Sequence, residues 1–250
     1  MSSLNLVEVT FVNQLRKSPV SCIFRTVWHG RDSILKVYHS PQALPSKRRT
    51  RPRNRETDPF KCESSAYLRL REHGFCDRGH IPDFYGLIEN INPVHHLPYL
   101  QDFVEDTVYP NAILMEYVPD IHSIDLSNYS ERRLRKLQQI LLEMHRAGVY
   151  HGDPYPRNMM VQITSDRVLW IDFDRAQTFT SQSIKQCHLT WLERETRMME
   201  EFVEGLAADA KLGRIHETWI CYYEGFRPPK DDGKGVLLNK EPGDYSHCVS

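Results

Sequence analysis

His151-Gly152-Asp153-Pro154-Tyr155-Pro156-Arg157-Asn158, followed nineteen residues after Asp153 by Ile171-Asp172-Phe173-Asp174, decides how this 250-residue chain is read. The apolar runs Met159-Met160-Val161 and Val168-Leu169-Trp170-Ile171 flank the polar turn Thr164-Ser165-Asp166-Arg167, which predicts a β-hairpin. An Asp, an Asn five positions on and a second Asp are thereby presented at the edge of one small unit. That set suits phosphoryl transfer from a nucleotide. One carboxylate orients or deprotonates a hydroxyl, while an amide oxygen and the second carboxylate hold Mg²⁺ against the phosphates.

These residues resemble the protein-kinase-like superfamily, in which a catalytic loop H-x-D-x-x-x-x-N is followed by D-F-G. Gly152 stands where protein kinases carry Arg, and Asp174 closes the second triplet in place of Gly. Both departures are similar to the small-molecule branch, the aminoglycoside and choline kinase-like proteins. The resemblance implies a two-lobed α+β fold, with a small antiparallel-sheet N-terminal lobe and a reduced helical C-terminal lobe. It also implies ATP and Mg²⁺ as cofactors, Asp153 as catalytic base, Asn158 and Asp172 as metal ligands, and Asp174 as an additional one. The competing reading is a chance Asp/Asn hairpin in an unrelated fold; the order of the upstream elements argues against it.

Upstream, Ser33-Ile34-Leu35-Lys36-Val37-Tyr38 is a β-rich run after the turn His29-Gly30-Arg31-Asp32, which puts Lys36 in mid-strand among apolar neighbours. Asp58-Pro59 predicts an N-cap with proline at the first helical position, and a helix running to about His73 before Gly74 ends it. On that helix Phe60, Glu63, Tyr67 and Leu70 share a face, so a carboxylate interrupts an apolar stripe. Such a carboxylate is costly unless it meets a cation. Lys36 is the candidate, and the superfamily's strand lysine, which also contacts the nucleotide phosphates, pairs with a helix glutamate in this way. The alternative leaves Lys36 in water on an edge strand and Glu63 at the stripe's margin.

The strand-like runs Leu6 to Val12 and Ser21 to Val27 flank Gln14-Leu15-Arg16-Lys17-Ser18-Pro19, at the position of the superfamily's glycine-rich phosphate loop but without a glycine. Arg16, Lys17 and the Ser18 hydroxyl are either phosphate contacts or a solvated hairpin tip. Asn111 to Pro119 resembles the strand and hinge joining the lobes, where backbone groups of Glu116 to Val118 would meet the adenine edge. Glu131 to Ala147 predicts a helix, with Leu134, Leu137, Leu141 and Met144 on one face and Gly148 as its stop. His145 reads as a packed or capping histidine and His151 as a brace for the catalytic loop. Arg157 offers transition-state charge stabilisation or a surface salt bridge.

Beyond Asp174 there is no Ala-Pro-Glu. About fourteen polar residues lead into a helix with the stripe Leu192, Met199, Val203, Leu206 and Ala210, and Trp219 to Tyr223 is left to finish a core. So reduced a lobe argues against a conventional protein kinase and for a small-molecule hydroxyl or a specialised protein site as acceptor.

The expected division is an N-terminal lobe over 1–118, a catalytic lobe over 119–228 and a disordered tail over 229–250. At 40% apolar residues the chain can bury a substantial core. No run approaches the length of a membrane span, so a soluble, cytoplasmic or nuclear protein without a membrane partner is expected. The six cysteines are dispersed, without zinc-ligand or disulfide spacing.

A formal net charge of −1 hides six cations between Lys47 and Arg55, within a basic insertion at 46–56. That run suits a nuclear localisation signal, an anionic partner or substrate, or a disordered insertion. Two further functions stay open beside phosphotransfer. A nucleotide-binding pseudokinase or scaffold fits the missing glycine loop, and a nucleic-acid-associated protein fits the basic run.

Overall fold

Five antiparallel strands carry the N-terminal half in this computed structural model, which describes residues 4–40 and 54–223. Strands β1 (Val9–Lys17), β2 (Ser21–Trp28) and β3 (Arg31–Tyr38) form a meander, followed by helix α1 (Pro59–Glu72) and strands β4 (Phe84–Ile88) and β5 (Asn111–Glu116). The sheet order is β1-β2-β3-β5-β4. Asp58 caps α1 through Phe60 N and Lys61 N at 3.1 and 3.4 Å, and Gly74 lies past its end with φ +72°.

The period of two along β3 decides what each face touches. Lys36 and Tyr38 turn toward α1, whose Phe60, Tyr67 and Leu70 pack with Phe84, Ile113 and Met115 in the main core. Leu35 and Val37 turn the other way, onto Phe24, Ala112 and Leu114, and are covered by Ile91, Leu100 and Phe103. That cover is the connection between β4 and β5, in which the sequence reading found no role. It is tied down by Lys17–Asp102 (2.6 Å), by His39–Asp106 (3.0 Å) and by the ring of Phe11 stacked on Tyr99 at 4.6 Å. Both faces of the sheet are therefore dry at its centre, along β3 and β5.

One strand differs from expectation. A 3-10 turn at Leu6–Glu8 precedes β1, which then runs through Lys17, so most of the expected loop is strand and only Ser18 to Val20 turn. Being an edge strand exposed from Val12 to Lys17, β1 shows no apolar alternation, and the periodicity cue fails there.

After β5 come β6 (Ile121–Ser123), α2 (Glu131–Arg146), β7 (Val149–Tyr150), β8 (Met159–Gln162), β9 (Arg167–Trp170), β10 (Gln177–Thr178), α3 (Gln186–Leu212) and α4 (Trp219–Tyr222). Strands β8 and β9 form the expected hairpin, with β6 alongside, and β10 pairs with β7. Leu134, Leu137, Ile140, Leu141 and Met144 of α2 share one core with α3, and the Trp170 indole donates to Leu137 O at 3.0 Å.

Along α3 the buried stripe runs through Met199, Phe202, Val203 and Leu206 and turns onto Asp209, whereas Leu192 and Ala210 are only half-buried. The buried Asp209 accepts Glu217 N, Thr218 N and the Thr218 hydroxyl, capping the chain that leads to α4. No residue of α4 is buried; Cys221 and Tyr222 only lean on the core, so this segment trims the lobe where it was expected to complete it.

Most of the basic insertion and the expected tail lie outside the described residues. Among those described, five cysteines are free thiols and no helix is long and apolar enough to cross a membrane.

If the β4–β5 connection is a structural cover, Phe103→Ala should cost about 3–5 kcal/mol in urea unfolding, the usual price of a vacated aromatic site. A loss under about 1 kcal/mol would show that the sheet does not need it.

Candidate functional site

The approach to Asp153 is fixed by backbone geometry. Gly148 (φ +79°) ends the turn after α2, and Gly152 (φ +82°) sits so close to the next loop that a Cβ would lie 2.4 Å from Arg175 O. A side chain at 152 is excluded, which accounts for glycine where protein kinases have Arg. Glu195 of α3, 1% exposed, accepts His151 N at 3.0 Å, Gly152 N at 2.7 Å and His145 Nε2 at 2.8 Å. The His151 ring donates from Nε2 to Ile171 O at 3.1 Å, bracing this loop against the one that carries Asp172. Burial lowers the His151 pKa, which keeps the ring neutral.

Asp153 sits among cations. Arg157 grips both carboxylate oxygens, Nη2 to Oδ1 at 2.6 Å and Nε to Oδ2 at 3.2 Å, and Arg175 Nη1 lies 3.7 Å from Oδ1. Asn158 donates Nδ2 to Asp153 Oδ2 (2.8 Å) and to Asp153 O (3.0 Å), so neither bond uses its amide oxygen.

Lys36, 5% exposed, gathers the remaining charges. Its ammonium lies 2.6 Å from Glu63 Oε2 and 2.6 Å from Asp172 Oδ1, and the Tyr38 hydroxyl donates to Glu63 Oε2 at 2.6 Å. Burial alone would strip the lysine of its proton; the carboxylates of Asp172 and Glu63 outweigh it and raise the pKa. Burial works against the Asp172 carboxylate as well, and the ammonium beside it wins, lowering that pKa. Among the described residues Asp174 has no such partner in contact. Burial and the neighbouring charge of Asp172 push its carboxyl up to about 7.

At the end of β5, the Glu116 carboxylate is engaged by Arg167 through both terminal nitrogens at 2.9 and 3.0 Å and by Asp83 N at 3.0 Å. Arg167 also donates to Gly79 O and Ile81 O. Val118 N–H donates to nothing among the described residues, and Val118, Met160 and Leu169 form a small apolar floor with Ile121 and Ile171. On the opposite edge the Ser18 hydroxyl is used inside its own turn, accepting Val20 N and Ser21 N, while Lys17 is spent on Asp102. Arg16 is near enough to Asp172 to favour its ionised form.

Mg²⁺ fits the donor set. Asn158 Oδ1 and the Asp172 and Asp174 carboxylates are hard oxygen donors. Among the described residues no three His, Cys, Asp or Glu side chains form a ready cage.

The sequence reading missed Glu195, Arg167, Arg175 and Gln177. For Glu195 the signal was present: it lies between Leu192 and Met199 on the core side of α3, a carboxylate on an apolar stripe like Glu63. Arg167 looked like an ordinary turn residue, and nothing local marks it.

Residues 103–209 match the family model described as the Lipopolysaccharide kinase (Kdo/WaaP) family. The "Probable serine/threonine-protein kinase BUD32 homolog" of Archaeoglobus fulgidus is 27% identical over 132 residues, 48% of this chain and 61% of the relative. The chain thus spans about three fifths of the length of that curated relative.

Two expectations follow from this geometry. Because the folded pKa of Asp174, about 7, exceeds its ordinary value of 3.8, its contribution to stability is full at low pH and is lost as pH rises through about 7. Without added Mg²⁺ the melting temperature should fall between about pH 4 and 7 and level off above, and Asp174→Asn should flatten that fall; an unchanged slope would contradict the assignment. Glu195→Ala leaves two buried loop amides without an acceptor and should destabilise by about 2–4 kcal/mol in chemical denaturation. A neutral result would mean that the loop holds itself.

Proposed function

We propose that this chain, similar over residues 103–209 to a kinase family and in part to a probable serine/threonine-protein kinase, is a protein-kinase-like enzyme that transfers the γ-phosphoryl group of ATP to a hydroxyl acceptor in a Mg²⁺-dependent reaction. The observation that carries the reading is the ammonium of Lys36, held 2.6 Å from carboxylates that come from two distant parts of the chain.

In this reading the adenine edge meets Val118 N–H and a backbone carbonyl near Glu116, over the floor of Val118, Met160 and Leu169. Lys36, oriented by Glu63, neutralises the α- and β-phosphates. Asn158, Asp172 and Asp174 hold Mg²⁺, which when bound supplies charge neutralisation at the β- and γ-phosphates. Asp153 orients the acceptor hydroxyl. The acceptor oxygen bonds to the γ-phosphorus, the bond to the bridging oxygen breaks, ADP leaves, and the hydroxyl proton passes to Asp153.

Arg157 holds both oxygens of Asp153, which fixes the carboxylate that orients the hydroxyl and receives its proton. Arg16 supplies charge to the phosphates from an edge that has no glycine loop, and Ser18 reaches them only by giving up its turn bonds. The proposed lobes are 1–118 and 119–228, with the hinge between them and the acceptor, a small molecule or a specialised protein site, entering beside Asp153.

The glycine-free turn favours one alternative, a nucleotide-binding scaffold without turnover. Thermal shift with ATP, with and without Mg²⁺, tests the site. Stabilisation of about 2–3 kcal/mol near 100-fold saturation should need both and vanish in Asp172→Ala. ATP turnover should then fall at least about a hundredfold in Asp153→Ala. Binding without turnover would select the scaffold, and turnover that survives Asp153→Ala would remove Asp153 as the base.

A further inference from the structure

Helix α1 brings Glu63 to Lys36, and its N-terminal end rests on one buried amide that the mechanism above does not use. Gln177 of β10, 5% exposed, accepts Glu56 N at Oε1 (2.8 Å) and donates Nε2 to Glu56 O (3.0 Å). With a side chain it makes the paired bonds that a neighbouring strand would make with its backbone. The same Nε2 lies 2.6 Å from Ala176 O and 3.6 Å from Cys62 Sγ, one position before Glu63. Beside it Arg55 Nη2 donates to Arg175 O at 3.1 Å, a second stitch between the same two segments.

What Gln177 joins matters more than how tightly it is held. Its strand pairs with β7, Gln177 opposite Tyr150, and β7 runs directly into His151-Gly152-Asp153. Upstream, Gln177 is five residues from Asp172. Gln177, with Arg55 beside it, therefore couples the segment leading into α1 to the loops carrying Asp153 and Asp172.

Glu56 is seven residues before Glu63; its carboxylate accepts Thr57 N and Asp58 N at 2.8 and 2.9 Å, which stiffens the short lead-in, and from Pro59 to Glu63 movement of this anchor is passed along little more than one turn of helix. The 2.6 Å contact with Lys36 has no slack to absorb such a shift. Were Glu63 to withdraw, Lys36 and Asp172 would keep only each other. Each would then be occupied by the other in place of phosphate or metal.

We propose that Gln177 is a positioning residue for the nucleotide site, latching the base of α1 onto β10 so that Glu63 reaches Lys36. Its effect on nucleotide rests on the phosphotransfer reading; its effect on the helix does not. The two are therefore measured separately.

In the protein without nucleotide, hydrogen exchange followed by mass spectrometry should show residues 59–66 exchanging about tenfold faster in Gln177→Leu, with the β8–β9 hairpin unchanged. Unchanged exchange in α1 overturns the proposal. With Mg²⁺-ATP, Gln177→Leu and Glu63→Gln should each raise the dissociation constant about tenfold, and the double variant should be no worse than Glu63→Gln alone. Fully additive losses would mean that Gln177 only supports the fold, and would also overturn it. If the wild-type chain binds no nucleotide, the phosphotransfer reading falls while the exchange result still decides the latch. Should Gln177→Leu fail to fold, Gln177→Asn keeps the amide but is one methylene too short to reach both Glu56 groups, and the same loosening is expected.

Discussion

A lysine ammonium withdrawn from water in the middle of a sheet governs this architecture. Lys36 is buried because β3 is covered on both faces, and an isolated charge in that place would simply lose its proton. It keeps the proton only because Glu63 arrives from α1 and Asp172 from the loop after β9. Each carboxylate is in turn tolerated there because the ammonium is present. Removing one partner leaves a buried charge uncompensated, a loss of about 3–5 kcal/mol where such pairs have been broken. The interaction is thus weak evidence for stability and strong evidence that three segments must be placed together.

Placing them requires backbone devices of a different kind. Gly148 and Gly152 hold positive φ where the loop passes within contact of Phe179 O and Arg175 O, and Glu195 collects the amides that this bend turns inward. Asp172 itself has φ +63°, an uncommon and mildly strained conformation for a residue with a side chain. The Lys36 ammonium and the His151 bond to Ile171 O stand on either side of that strain and hold it. The charged cluster and the strained turns therefore depend on each other.

Much of this was legible in the sequence wherever a cost had to be offset. Glu63 on an apolar face announced that a cation must meet it, and Asp58-Pro59 with Gly74 bounded the helix closely. The hairpin of β8 and β9 followed from apolar runs around a polar turn. The reading failed where no local cost is visible. Edge strand β1 needs no apolar period, the β4–β5 cover shows its use only against a sheet that must be dry on both faces, and Arg167 finds Glu116 across 51 residues. Glu195 is the instructive miss, since it carried the same signal as Glu63. Its partners are backbone amides, which no pattern of side chains displays.

The departures from protein-kinase patterning can be connected by the same reasoning. Glycine at 152 removes the loop arginine of protein kinases, yet two other guanidiniums, Arg157 and Arg175, stand at the Asp153 carboxylate. The turn between β1 and β2 has no glycine to wrap phosphates, yet the exposed Arg16 of the adjoining strand is among the charges that favour an ionised Asp172. In both places positive charge is supplied by a flexible side chain at a shifted position in the chain. Such side chains adapt to the ligand's shape at the cost of ordering on binding, about 1–2 kcal/mol for each arginine. A framework of glycine turns, Glu195 and the Lys36 cluster therefore fixes the acidic side chains, while Arg157 is already held on Asp153 and Arg16 remains exposed at the edge of the sheet.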